Sequence, residues 1–315
     1  MTMKIQKLKL RPMKQQNNGF NNPELNIFEM GTLVQVETSS WQARKQVPKE
    51  ITQKITPESK RNLIRANKDL IDRDHLKRLN SIITNTRRFV SDVSNPFPIK
   101  GLHFVSAKVI DLVTMKLDEF KTQLAMEVDL FLKEYESYKS EVKQELNKYK
   151  LYDERDYPSE KEIRESWTIS YRFFDLSIPK HITNELRQKE EDEFKKLMNE
   201  TKELGILALR EGFNKIVSHL VGTLQGKLKG EGNRLHQEAI DNVYNFFKTF
   251  ENRNVFNDTQ LEKLIKDAQN ILEGVTTDDL KSDDSFAKIL TNELEKVQKE
   301  TDKCVSSFKR KLSFR

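Results

Sequence analysis

The sequence predicts a mostly α fold: long antiparallel, coiled-coil-like helices forming a hairpin, a small β ribbon, and a C-terminal helical bundle. Three observations carry it. Apolar residues recur at helical spacing through two stretches of some forty residues each. Breakers are scarce, with 10 Gly and 8 Pro in 315 residues. Only two short segments alternate apolar and polar side chains as a half-buried strand does. With 33% charged against 36% hydrophobic residues, the chain reads as folded, charge-rich and poor in loops.

The first alternating segment is Thr32 to Thr38, rich in β-branched residues and ended by Trp41. Pro48 and Pro57 bracket a basic connection, and Thr56-Pro-Glu58 opens a predicted helical stretch that runs, with one break, to about Val93. Asn95-Pro-Phe-Pro-Ile-Lys-Gly101 is a breaker, because each residue before a proline is pushed out of the α region. From Ile110 to Tyr149 eleven apolar steps cover 39 residues, a mean of about 3.5, which predicts one helix of about forty residues. A polar turn at Asp153 to Pro158, a short helix from Ser159 and a second strand-like run from Trp167 to Ile178 follow. The two β segments are expected to pair, and a ribbon of two strands is marginal unless helices or another chain complete it.

The second long helical pattern begins at Ile182 and ends at Gly226 to Gly232. Its early part, Arg187 to Lys196, is almost wholly charged and reads as a projecting arm. Shorter helices are expected near Leu235 to Phe250, Asp258 to Leu272 and Ser285 to Val305, with Asp258 and Asp283 or Asp284 as N-caps. The resulting division is a basic tail at 1–24, a strand, long-helix and ribbon region at 25–180, a helical region at 181–302, and a second basic tail at 303–315.

The net charge of +6 comes from the ends. Lys4, Lys7, Lys9, Arg11 and Lys14 stand without an acid, as do Lys303, Lys309, Arg310, Lys311 and Arg315. With those ten set aside, the body has 45 basic and 49 acidic groups, a net of −4. Basic ends on an acidic body suit nucleic acid, an acidic partner, or the body of a neighbouring copy. Apolar Leu8, Leu10 and Met13 in one tail, and Val305, Phe308, Leu312 and Phe314 in the other, give both the means to dock.

One cysteine leaves no intramolecular disulfide and no Cys-rich zinc site, which suits a reducing cytoplasm. No run of about 18 apolar residues is present, so no membrane span is expected. No motif calls for a catalytic residue, a cofactor or a metal. Gly222 to Leu228 mimics a phosphate loop but is one residue short and has Leu228 where a Ser or Thr belongs. Asp72 and His75 at i and i+3 form half of a helical di-metal pattern without its second half. Tyr171, Phe173 and Phe174 beside Arg172 have the makings of a base-stacking platform, but period-two aromatics more often belong to a core.

Two short motifs carry a resemblance. Trp41-Gln-Ala-Arg44-Lys45 after the first strand, and Glu154-Arg-Asp156-Tyr157-Pro158 after the long helix, occur in an order that resembles a phage and bacterial family known only as a domain of unknown function. The resemblance covers roughly residues 30 to 275. Members are often encoded beside MoxR-type AAA+ ATPases and von Willebrand A proteins similar to a cobalt-chelatase subunit. It implies partners and no reaction. The expected protein is therefore non-enzymatic, a structural or adaptor protein of phage or mobile-element origin, cytoplasmic in its bacterial host, forming a homo-oligomer and serving an ATPase-linked system. The alternative is a DNA- or RNA-associated protein using its basic tails. The residues expected to serve assembly or partner binding are the basic tail residues Lys4, Lys7, Lys9, Arg11, Lys14, Lys309, Arg310 and Lys311, and the motif residues Trp41, Arg44, Lys45, Asp156 and Tyr157.

Overall fold

The computed structural model describes residues 27–55, 65–179, 181–230 and 237–313. In chain order they form β1 (Gly31–Ser39), β2 (Arg44–Gln46), α1 (Lys49–Ile55), β3 (Asn67–Asp69), α2 (Lys77–Val93), β4 (Asn95–Pro96), β5 (Leu102–Ser106), α3 (Ile110–Lys148), α4 (Glu160–Ser166), β6 (Thr168–Phe174), α5 (Asn184–Leu228), α6 (Gln237–Arg253), α7 (Thr259–Leu272), α8 (Thr277–Ser282) and α9 (Asp284–Ser313). The fold is mostly α, as the periodicity predicts.

The β ribbon is wider than two strands. β1 and β6 pair antiparallel from Leu33↔Phe174 to Ser39↔Thr168, and the sheet runs β4-β5-β1-β6. β5 and β4 complete it from within the chain, so no second chain is needed for that purpose. Alternation along the strands gives the sheet two apolar faces. Val34, Val105 and Phe173 pack with Val90 and Val93 of α2 and with Val113 and Leu117 of α3. Leu33, Phe104 and Phe174 face the other way, onto Phe97, Met198 of α5 and Phe256. Gly31 leaves no room for a side chain against β5: a Cβ there would lie 2.1 Å from the Val105 carbonyl oxygen. Gly31→Ala is expected to pull that end of the pairing apart and to lower the melting temperature clearly, whereas an unchanged melting temperature would contradict the register.

Gly205 plays the same part on α5. A Cβ there would lie 2.6 Å from the Phe256 ring, so the absence of a side chain lets the α6–α7 corner close on the helix. α5 serves two cores. Its Phe194, Leu197 and Met198 cover the sheet, and its Leu209 to Leu224 stretch packs with α6, α7, α8 and α9 in a second apolar core.

Several expectations need correction. The long antiparallel partner of α5 is α9, not α3: Lys309 pairs with Glu211 at 2.6 Å, and Lys227, in the last turn of α5, pairs with Asp284 at 2.6 Å. α3 lies instead on α2 and the sheet. Of the helical stretch expected from Thr56, residues 56–64 lie outside the described residues, and among those that follow, α2 begins at Lys77. β3 and a 3-10 turn capped by Asp72 precede it, because residues 67–69 pair with β2. Residues 303–313 continue α9 rather than leaving it as a tail, since Cys304 and Val305 stay on its buried face. β6 stops at Phe174, short of the expected Ile178.

The expected caps are present. Asp258 accepts from the Leu261 amide at 3.2 Å, and Asp283 accepts from the Phe286 amide at 2.9 Å. Ser159 and Glu162 form a capping box at α4. Asp258 is also half of a buried pair. Arg210 of α5 donates to both its carboxylate oxygens at 2.7 and 2.9 Å, donates to the Cys304 carbonyl at 3.2 Å, and lies under the Phe308 ring. One guanidinium thus ties α5, the start of α7 and the end of α9 together.

Candidate functional site

The two sequence motifs meet on α3. Trp41, just past β1, sets its ring edge-on against Phe131 and Tyr135, with centroids 6.3 and 6.0 Å away. The loop after α3 turns back on the same helix: Tyr135 donates its hydroxyl to the Pro158 carbonyl at 3.1 Å. Phe131, Tyr135, Ile163, Trp167 and Ile169 with Leu124 and Val128 form the core beneath. The apolar seam of α3 therefore has a sequence-readable partner, one motif on each side of it.

Two buried lysines hold the charged side of this junction. Lys68 of β3, its side chain 5% exposed, lies 2.5 Å from the Asp156 carboxylate and also donates to the Leu151 carbonyl. Lys139 of α3 donates to Glu154 at 2.5 Å and to Glu136 at 3.0 Å. Its ammonium sits 5.5 Å from the Tyr135 ring and 5.4 Å from the Tyr157 ring. Tyr152 donates to the other oxygen of Glu154, and its ring lies 5.4 Å from that of Tyr157. Arg44 pairs with Asp69 at 3.1 Å at the rim, and Lys45 is exposed beside it.

The electrostatics follow from this packing. Burial works against the charge on Lys139, but the Glu154 and Glu136 carboxylates outweigh it and raise the ammonium pKa. The same contact with Lys139, and then the Tyr152 hydroxyl, holds Glu154 below the usual carboxylate range. Arg155 holds Asp153 down at about 2. Burial pushes the Tyr152 and Tyr157 hydroxyls up to about 12 and Tyr135 well above its ordinary value. Chemically, Lys139 is a charged post between carboxylates and rings.

The tyrosines set an alkaline limit. Their folded pKa values lie above the ordinary 10.0, so the folded state holds these protons more tightly than the unfolded chain. Stability is expected to fall as pH rises from about 10 through about 12. Tyr157→Phe should flatten that fall in thermal unfolding followed from about pH 9 to about pH 11; an identical slope in the variant would contradict the placement of this ring.

Of the residues the sequence singles out, the structure brings Trp41, Arg44, Lys45, Asp156 and Tyr157 into or beside one junction. Lys309 and Arg310 lie elsewhere, on α9, where Lys309 pairs with Glu211 and Arg310 donates to the Ser306 carbonyl at 3.3 Å. Lys4, Lys7, Lys9, Arg11 and Lys14, and the side chain of Lys311, lie outside the described residues. Lys68, Lys139 and Tyr135 were not singled out by sequence. Lys139 carried a signal, because it falls four residues after Tyr135, on the buried seam. The residues weighed for other chemistry have structural employment: His75 stacks on Tyr138 and bonds Glu141 at 2.7 Å, and Tyr171 donates to Asp118 at 2.9 Å. Gly222 to Leu228 lies within α5.

A family model described as "Protein of unknown function (DUF3150)" matches residues 29–290. The chain belongs to that family. The DUF3150 match takes in both motifs, the whole sheet and α3 to α8, and reaches past the roughly 30 to 275 of the sequence resemblance. No curated protein and no solved structure matches the chain. Among the described residues no group of three His, Cys, Asp or Glu is placed to hold a metal ion, and no helix is long and apolar enough to cross a membrane.

Proposed function

We propose that this DUF3150 protein is a non-enzymatic structural or adaptor protein that self-associates and works with an ATPase-linked system. The observation that carries the reading is the outer face of α3. Opposite its core seam, Leu112, Met115, Met126 and Leu130 are exposed by 42% to 62%, an apolar stripe on a helix about 58 Å long. The motif residues support the same reading. Asp156, Tyr157 and Trp41 are spent on fixing the loop and the strand to α3, which makes a rigid post of that helix. The charged first turns of α5 add an exposed arm.

The partner expected from the family resemblance is a MoxR-type AAA+ ATPase with a von Willebrand A protein, in the cytoplasm of a bacterial host of the phage or mobile element. Co-elution of the full chain with such an ATPase, or a change in its ATP hydrolysis on addition of the chain, is the expected result. Separate elution with an unchanged hydrolysis rate would remove the ATPase from the account. A nucleic-acid role is the second reading, favoured by five basic residues and no acid in residues 1–23. It requires a salt-sensitive shift of labelled DNA or RNA that deletion of those residues abolishes.

A further inference from the structure

The stripe on α3 has a symmetry that names its occupant. Counted from Lys121, Leu112 and Leu130 each lie nine residues away, Met115 and Met126 six and five, and Glu119 and Gln123 two. At 100° per residue all six fall on the side of α3 turned away from its buried residues Val113, Leu117, Leu124 and Val128. Lys121 itself points elsewhere, over the Tyr171 ring, so its ammonium does not face its own copy at the centre. The ends complement one another: exposed Lys108 and exposed Glu134 lie thirteen residues on either side of the same point. A shallow depression of about 490 Å³ lined by Met115, Asp118, Glu119, Thr122 and Gln123 occupies the middle.

We propose that two copies of this chain pair through α3, antiparallel, about a two-fold axis beside Lys121 and Thr122. Under that rotation Leu112 of each copy meets Leu130 of the other, and Met126 of each seats in the other's central depression. Glu119 meets Gln123 as a hydrogen-bonding pair, and Lys108 meets Glu134 as an ion pair at each end. A single helix face with this arrangement is self-complementary, which is what an isologous contact requires. The inference rests on the self-association proposed above and gives it a surface.

The test uses the full-length chain, whose native Cys304 is buried. Thr122→Cys places a thiol beside the axis, where two copies come within disulfide reach; Lys133→Cys places thiols about 36 Å apart along the helices, beyond any disulfide. Mild oxidation is expected to convert Thr122→Cys to a covalent dimer and to leave Lys133→Cys and the wild type uncoupled. Met126→Asp, at an exposed position, is expected to raise the dimer dissociation constant by about tenfold or more while the chain keeps a cooperative unfolding transition. An oligomer in which Thr122→Cys does not couple and Met126→Asp associates as before would overturn this surface and leave self-association standing. A wild-type chain that is monomeric throughout would overturn both.

Discussion

Phe131→Asp is expected to unfold the amino-terminal half of the protein. Phe131 lies at the centre of the junction, against Trp41, Tyr135 and Tyr138, and is 4% exposed. Removing the ring alone costs about 3 to 5 kcal/mol, and the new carboxylate would be buried among the rings of Trp41, Tyr135 and Tyr138. The sum exceeds about 5 kcal/mol, comparable to the whole margin of a typical domain. The variant should be insoluble or lack a cooperative transition for this region. Leu130→Asp, one residue earlier but facing solvent, should stay soluble and unfold cooperatively while weakening association. That opposition separates the core seam of α3 from its outer stripe, and a soluble, normally melting Phe131→Asp would show that the seam is misplaced.

The second large effect belongs to the other end of the molecule. Asp258→Ala removes the acceptor of the Leu261 amide and both hydrogen bonds to Arg210, whose side chain is 9% exposed. Breaking one partner of a buried pair costs about 3 to 5 kcal/mol, and loss of an N-cap adds about 1 kcal/mol. We expect a loss of about 4 kcal/mol in denaturant unfolding, with Asp258→Asn, which keeps the cap acceptor, falling between. A loss below about 1 kcal/mol for Asp258→Ala would mean that the pair does not hold α5, α7 and α9 together.

What the sequence revealed and what it hid divide along physical lines. α3 and α5 were legible because a helix buried along one face repeats its apolar residues locally, and the caps at Asp258 and Asp283 need only neighbours in sequence. β1 and β6 were legible by alternation. β5 was not, since Leu102 to Ser106 is only five residues beside a proline-rich breaker, and its place between β4 and β1 is a contact distant in sequence. The same limit hid the packing of α5 on α9 and the pairing of β2 with β3, which turned an expected helix into a strand. Charge misled at the carboxyl end: Lys303, Lys309 and Arg310 suggested a basic tail set apart from the last helix, while Cys304, Val305 and Phe308 kept the helical spacing that holds α9 to α5. In the junction, the motif residues Trp41, Asp156 and Tyr157 were legible, whereas Lys68 lay in a stretch read as helix and had no local pattern to mark its carboxylate partner.

Self-association is the claim on which the functional account stands, and the molar mass of the full-length chain in solution tests it most directly. Light scattering on the column eluate, over a wide range of loading concentrations and at low and high salt, should return a multiple of 37.1 kDa. An apolar seam should keep that mass when salt is raised, because salt screens charges and does not weaken apolar contact. A mass of 37.1 kDa at every concentration and salt would contradict the account.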